Sequence, residues 1–172
     1  MTNVTKEEVA QLLQIIQEKP AQRIVHFCEN ASVLNKSLAD LCQDYTNDYY
    51  LYCTNPIYFT EATETFLDAP QVHTMNFNLR RPRYLIQAIE YDYLLSTLDF
   101  SDKNKTEFLE KCYPIIRTGG SLILFISKSG YTERDEWRSL LEEQYYVSVT
   151  IIDNIFENYD VITAKRMHGW GN

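Results

Sequence analysis

Short runs of β-branched and aromatic residues alternate along this chain with stretches whose apolar residues recur every three or four positions. That is the pattern of strands alternating with amphipathic helices. Thr5 and Glu8 have the spacing of a capping box, and Val9, Leu12, Leu13 and Ile16 form the stripe of a helix that Lys19-Pro20 stops. Arg23–Cys28 predicts a strand, rich in residues that suit a pleated, covered surface. Glu29 to Ser37 reads as a loop, and Leu38, Leu41, Cys42 and Tyr45 as the buried face of the helix after it. Tyr49–Cys53 is a second strand. Thr54-Asn55-Pro56 turns the chain into a short helix from Pro56 to Leu67, which Asp68-Ala69-Pro70 breaks. Val72–Phe77 is a third strand, and Tyr84, Leu85, Ala88 and Ile89 have the spacing of a further short helix.

The segment from Tyr91 to Lys128 is the most legible. Tyr93–Leu98 is a short apolar run between Asp92 and Asp99, as expected of a strand covered on both faces. Ser101 and Asp102 start a helix whose apolar face is Phe108, Leu109, Cys112, Ile115 and Ile116. Gly119-Gly120 is expected to stop that helix, and Ser121–Ser127 to run as a buried strand up to the break at Gly130. Strand, crossover helix and strand make a right-handed unit of a parallel sheet. Thr132–Asp135 opens another helix, with Trp137, Leu140 and Leu141 inward. Tyr145–Ile152 and Asp160–Lys165 are two strands joined by a short connection, which pairs them antiparallel. Met167–Asn172 is a tail carrying His168 and Trp170.

Composition narrows the function. The 172 residues carry a net charge of −8, which argues against general nucleic-acid binding, since that rests on many Lys and Arg contacts. Arg80, Arg81 and Arg83 are the one basic cluster, either a solvated loop or an anion contact for a phosphorylated or acidic partner. The four cysteines lack metal-ligand spacing, and the three histidines lie far apart, with His26 and His73 placed in strands as core residues. No Gly-x-Ser-x-Gly, His-Glu-x-x-His or P-loop supports hydrolysis. The absence of a signal peptide and of a long apolar span predicts a cytoplasmic protein with no membrane association.

The run Ile115-Ile-Arg-Thr-Gly-Gly-Ser-Leu-Ile-Leu124, set behind an acid-opened strand and a helix, resembles the fourth and fifth strands of Rossmann-like S-adenosylmethionine-dependent methyltransferases. The resemblance covers about Arg23 to Arg166. It implies a three-layer α/β sandwich on a mostly parallel seven-stranded sheet with an antiparallel last strand. One domain is expected over residues 1–172, with a leading helix to residue 20, a core over 23–166 and the tail. It also implies a cofactor, S-adenosylmethionine, and a set of positions for it. Glu29 would approach the methionine end, with Ala31-Ser32-Val33 where the family has Gly-x-Gly. Asn55 would meet the ribose, or serve only as a turn residue before Pro56, and Asn76 and Phe77 would meet the adenine. Ser96, Thr97 and Asp99 would face the transferred methyl group, with Asp99 either a general base or the start of a loop. Two functions follow: a small methyltransferase of unassigned acceptor, or a non-catalytic relative acting as a binding or regulatory subunit. Self-association and a protein partner both stay open, because little chain remains for substrate recognition.

Overall fold

The structure, a computed structural model, describes residues 4–100, 102–128 and 131–167. The helix start at Ser101, the break at Gly130, and His168 and Trp170 lie outside those residues. The strands form one seven-stranded sheet in the order β3-β2-β1-β4-β5-β7-β6, with β1 Arg23–Cys28, β2 Asp48–Cys53, β3 Val72–Asn76, β4 Tyr91–Ser96, β5 Ile116–Ser127, β6 Tyr146–Ile152 and β7 Tyr159–Arg166. β7 runs antiparallel to both of its neighbours, as the sequence pattern predicts for a closing hairpin. The chain divides into two compact units, Met1–Leu79 with Leu95–Leu98, and Arg80–Leu94 with Asp99–Asn172.

The first unit holds α1 Lys6–Leu13, α2 Ser32–Asp44 and α3 Pro56–Thr65. Thr5 closes the capping box on α1: its Oγ1 accepts from the Glu8 amide, and the Glu8 carboxylate accepts from the Thr5 amide. Val9 and Leu12 are buried, and α1 packs on α2. β1 and β2 are parallel from Arg23 opposite Asp48 to Cys28 opposite Cys53. Because side chains alternate across a strand, His26 and Cys28 share one face with Leu51 and Cys53, and Phe27 shares the other with Tyr52. On that second face Tyr52 and Phe77 stack with centroids 4.9 Å apart, and Phe27 meets both rings edge-on.

α2 begins at Ser32, where the sequence pattern gives a loop as far as Ser37. Asn35 explains the difference: it lies on the buried side of α2, fully enclosed and held by hydrogen bonds. The inner face of this helix is therefore partly polar, and apolar spacing does not reveal its first turn.

In the second unit, α4 Asp102–Cys112 stops earlier than its apolar stripe implies. Pro114 turns the chain into a single 3-10 turn, Tyr113–Ile115, and β5 starts directly at Ile116. Gly119-Gly120 thus lies inside a strand and does not end a helix. Gly119 sits at φ 76°, and a Cβ on Gly120 would come within 3.0 Å of the Ile116 side chain and the Arg117 and Asp92 carbonyl oxygens. The helix expected over Tyr84–Ile89 does not form. Gln87 and Ala88 take left-handed φ values of 52° and 59°, which no right-handed helix accommodates. α5 Tyr131–Glu143 buries Trp137 and Leu141. Beside it, the enclosed ammonium of Lys105 donates to Glu136 at 3.1 Å and lies 5.2 Å over the Trp137 ring. β6 is kinked between Val147 and Thr150, where Ser148 has φ 55°.

Candidate functional site

In an open α/β sheet, ligands collect where the strands end at their carboxyl termini. Backbone hydrogen bonds align that edge in the first unit. The Thr54 amide donates to the Cys28 carbonyl, Phe77 to Cys53, and Thr97 to Phe27, at 2.9, 2.7 and 3.1 Å. The ends of β1, β2, β3 and β4 therefore open onto one rim. Glu29, Ala31, Ser32, Asn55, Asn76, Phe77, Ser96 and Thr97 all belong to this unit, and Asp99, which is exposed, belongs to the second.

Each rim position has a local cause. Glu29 is exposed at the end of β1, and Ala31 is buried with φ −154° and ψ 52°. Among the described residues, no position from 29 to 33 has positive φ. This turn therefore makes no conformational demand for glycine, and Val33 fits its backbone path without strain. The N-cap residue of α2 is Ala31, whose methyl side chain supplies no capping hydrogen bond. Asn55 caps α3: its Oδ1 accepts from the Ile57 amide at 2.9 Å and the Tyr58 amide at 3.3 Å. That occupies the oxygen and leaves the Nδ2 hydrogens for any partner at the rim. Asn76 is exposed, while Phe77 is enclosed between Tyr52 and Phe27. Ser96 is enclosed as well, its Oγ accepting from the Leu98 amide at 3.4 Å.

Beneath the rim lies a polar cluster that the spacing of residues does not announce. His26 is fully buried with both ring nitrogens bonded. Its Nδ1 is 2.7 Å from Asn35 Oδ1 and 3.2 Å from the Tyr49 hydroxyl, and its Nε2 is 3.0 Å from Thr97 Oγ1. The Tyr49 hydroxyl donates to Asn35 Oδ1 at 2.8 Å. Asn35 Nδ2 donates to the Tyr58 hydroxyl at 2.6 Å and to Cys28 Sγ at 3.6 Å. The Tyr58 hydroxyl also bonds the backbone of Ala31, tying the cluster to the turn after β1. Burial lowers the His26 pKa to about 4, against a smaller opposing effect of its bond to Asn35. The imidazole is therefore neutral at physiological pH. Burial likewise raises the Tyr58 phenol to about 12 and the Tyr49 phenol well above its usual value.

Cys28 and Cys53 face each other at the ends of β1 and β2, and all four cysteines are free and buried. Their mutual hydrogen bond holds the Cys28 thiol down and pushes the Cys53 thiol up. His73, expected in the core, is exposed on edge strand β3 and pairs with Asp48 at 3.1 Å. Among the described residues, no group of three or more His, Cys, Asp and Glu could hold a metal ion. None of the described helices is long and apolar enough to cross a membrane. In the second unit, Arg80 and Arg83 line a cavity of about 660 Å³ with Tyr84, Glu107 and Lys111. Lys111 lies 5.4 Å over the Tyr84 ring and pairs with Glu107.

No family model and no curated protein matches the sequence. Solved structures match the fold. A SAM-dependent O-methyltransferase from Thermotoga maritima is similar with a TM-score of 0.79 at 12% identity, over 100% of this chain and 69% of its own. A TehB-like SAM-dependent methyltransferase from Corynebacterium glutamicum gives 0.72 at 12%, over 96% of this chain and 90% of its own. The CurJ carbon methyltransferase gives 0.68 at 12%, over 93% of this chain, which spans only 52% of that one. At such identities the likeness is one of fold: this chain has the Rossmann-like methyltransferase architecture.

Proposed function

We propose that this chain, folded as a Rossmann-like methyltransferase, binds S-adenosylmethionine over the carboxyl ends of β1, β2 and β3 and transfers its methyl group to a small acceptor. One observation carries the reading: α2 starts at the rim directly after β1, with Ala31 as its N-cap and Glu29 exposed, on a turn whose backbone needs no glycine. The donor set fits a zwitterionic ligand with a nucleoside. The first N–H groups of α2 would hold its carboxylate, and Glu29 its ammonium. Asn55 would donate to the ribose through Nδ2, because its oxygen is committed to α3. Asn76 would read the adenine edge, with Phe77 as apolar support below it.

When bound, the cofactor supplies an electrophilic methyl on a sulfonium. The chain's part is to hold the acceptor in line with that methyl and to keep competing water away. Thr97 would orient the acceptor, Ser96 would fix the loop it stands on, and exposed Asp99 would take the acceptor's proton. The acceptor classes printed for the similar structures differ, oxygen in one and carbon in another, so the fold does not choose among them. A cytoplasmic setting suits the four unpaired thiols, which a reducing compartment preserves.

A second reading has its own support. Ala31 and Val33 put side chains where a cofactor loop ordinarily has none, and the Asn55 amide carries no charge for the ribose. Under that reading the chain is a non-catalytic binding or regulatory subunit. Calorimetry with S-adenosylmethionine and S-adenosylhomocysteine separates the two. Micromolar binding supports the enzyme. Folded protein with no heat at high ligand concentration supports the subunit, and binding gained by Ala31→Gly with Val33→Gly would mark a decayed site.

A further inference from the structure

The hydrogen bonds under the rim have a direction. Asn35 Nδ2 gives its hydrogens to the Tyr58 hydroxyl and Cys28 Sγ, so Asn35 Oδ1 is the acceptor for the groups on its other side. Tyr49 supplies one hydrogen to that oxygen, and the other, at 2.7 Å, comes from His26 Nδ1. The neutral ring carries a single N–H, so Nε2 holds a lone pair. Thr97 Oγ1, 3.0 Å from that lone pair, must point its proton inward. Thr97 is half-buried at the end of β4, and its oxygen is left with lone pairs only for whatever arrives from solvent.

We propose that Thr97 is a hydrogen-bond acceptor of fixed polarity that selects a methyl acceptor bearing a proton, a neutral hydroxyl or amine, and that His26 and Asn35 are the positioning residues that set this polarity. The inference rests on the rim being the active edge, as proposed above, and names the substrate class for it. A group that only accepts, such as a carboxylate or an ether, meets lone pair against lone pair at this position. An alcohol satisfies Thr97 as it binds and gives that proton up to the general base on methyl transfer, so its methyl ether has none left to give. The same contact therefore favours a hydroxyl substrate over its product. Neutrality of the buried imidazole at physiological pH is consistent with this role, because a doubly protonated ring would donate from Nε2 and reverse the Thr97 hydroxyl.

The test uses the full chain labelled with 15N-histidine, read by long-range proton–nitrogen correlation. The expected result is a neutral His26 with its proton on Nδ1. In Thr97→Val the tautomer stays and the Nε2 resonance moves toward that of an unbonded lone pair, and Thr97→Ser restores it. A proton on Nε2 overturns the proposal, since Thr97 would then be the donor. Phenol and its methyl ether anisole, titrated in parallel, test the selection. Phenol should perturb the Thr97 and His26 resonances at a roughly fivefold lower concentration, the effect of one ordinary hydrogen bond. That preference should vanish in Thr97→Val. Equal potency, or no perturbation by either, overturns the proposal. The tautomer is read without cofactor, so a failure of S-adenosylmethionine to bind would fell the methyltransferase reading alone.

Discussion

Acid should destabilise this protein through His26 as the pH falls from 6.5 toward 4. The folded ring takes a proton only near pH 4, because it is fully buried and its partners are neutral hydroxyl and amide groups. The unfolded ring takes one at its ordinary pKa of 6.5. As the pH falls through 6.5, the unfolded chain binds the proton first, so stability is lost from there down to about 4 and not above. At about 1.4 kcal/mol per pH unit, the full loss is about 3 kcal/mol. Against a typical total of ~5–15 kcal/mol, that is a large share. Urea unfolding followed by tryptophan fluorescence, repeated from neutral pH down to about pH 4, measures it. His26→Gln provides the control, since an amide does not titrate in this range. The variant will be less stable at neutral pH, but its stability should fall by about 3 kcal/mol less across the window. Parallel curves for the two proteins would refute the reasoning, because they would place the His26 proton equilibrium at the same pH in both states.

Four further outcomes follow from the packing and the rim. Gly120→Ala, with its new Cβ within 3.0 Å of two carbonyl oxygens, should cost about 1–3 kcal/mol, seen as a lower thermal midpoint. Arg134 grips the enclosed Asp160 carboxylate through Nε at 2.6 Å and Nη2 at 2.9 Å, so Arg134→Met should cost roughly 3–5 kcal/mol in urea. Arg134→Met with Asp160→Leu should recover part of that loss, because no charge then stays buried alone. Asn55→Ala removes the cap of α3 and should cost about 1 kcal/mol in the absence of any ligand.

The fold was largely legible, and the reasons lie in particular residues. β1 and β2 are runs of β-branched and aromatic side chains buried in the sheet, so composition marks them directly. The closing hairpin followed from the short connection between β6 and β7. Three features escaped for different reasons. The first turn of α2 is hidden because Asn35 is buried by hydrogen bonding rather than by apolarity. Tyr84, Leu85, Ala88 and Ile89 have helical spacing, but left-handed backbone at Gln87 and Ala88 overrides it. Gly119-Gly120 looks like a helix stop, while the stop is Pro114 and the glycine at 120 serves a close backbone approach. At the site, the rim positions were reached by resemblance to a family. The His26 cluster was not, because His26 meets Asn35 nine residues on and Thr97 seventy-one residues on, and only the folded sheet joins them.

The central claim is that the edge formed by Glu29 to Leu34, Asn55, Asn76 and Phe77 holds S-adenosylmethionine. Titration of 15N-labelled protein with S-adenosylhomocysteine tests it most directly, by mapping which backbone amides move. Shifts concentrated on those residues are the predicted result. Shifts confined to the Arg83–Lys111 cavity, or none at saturating ligand, would contradict it.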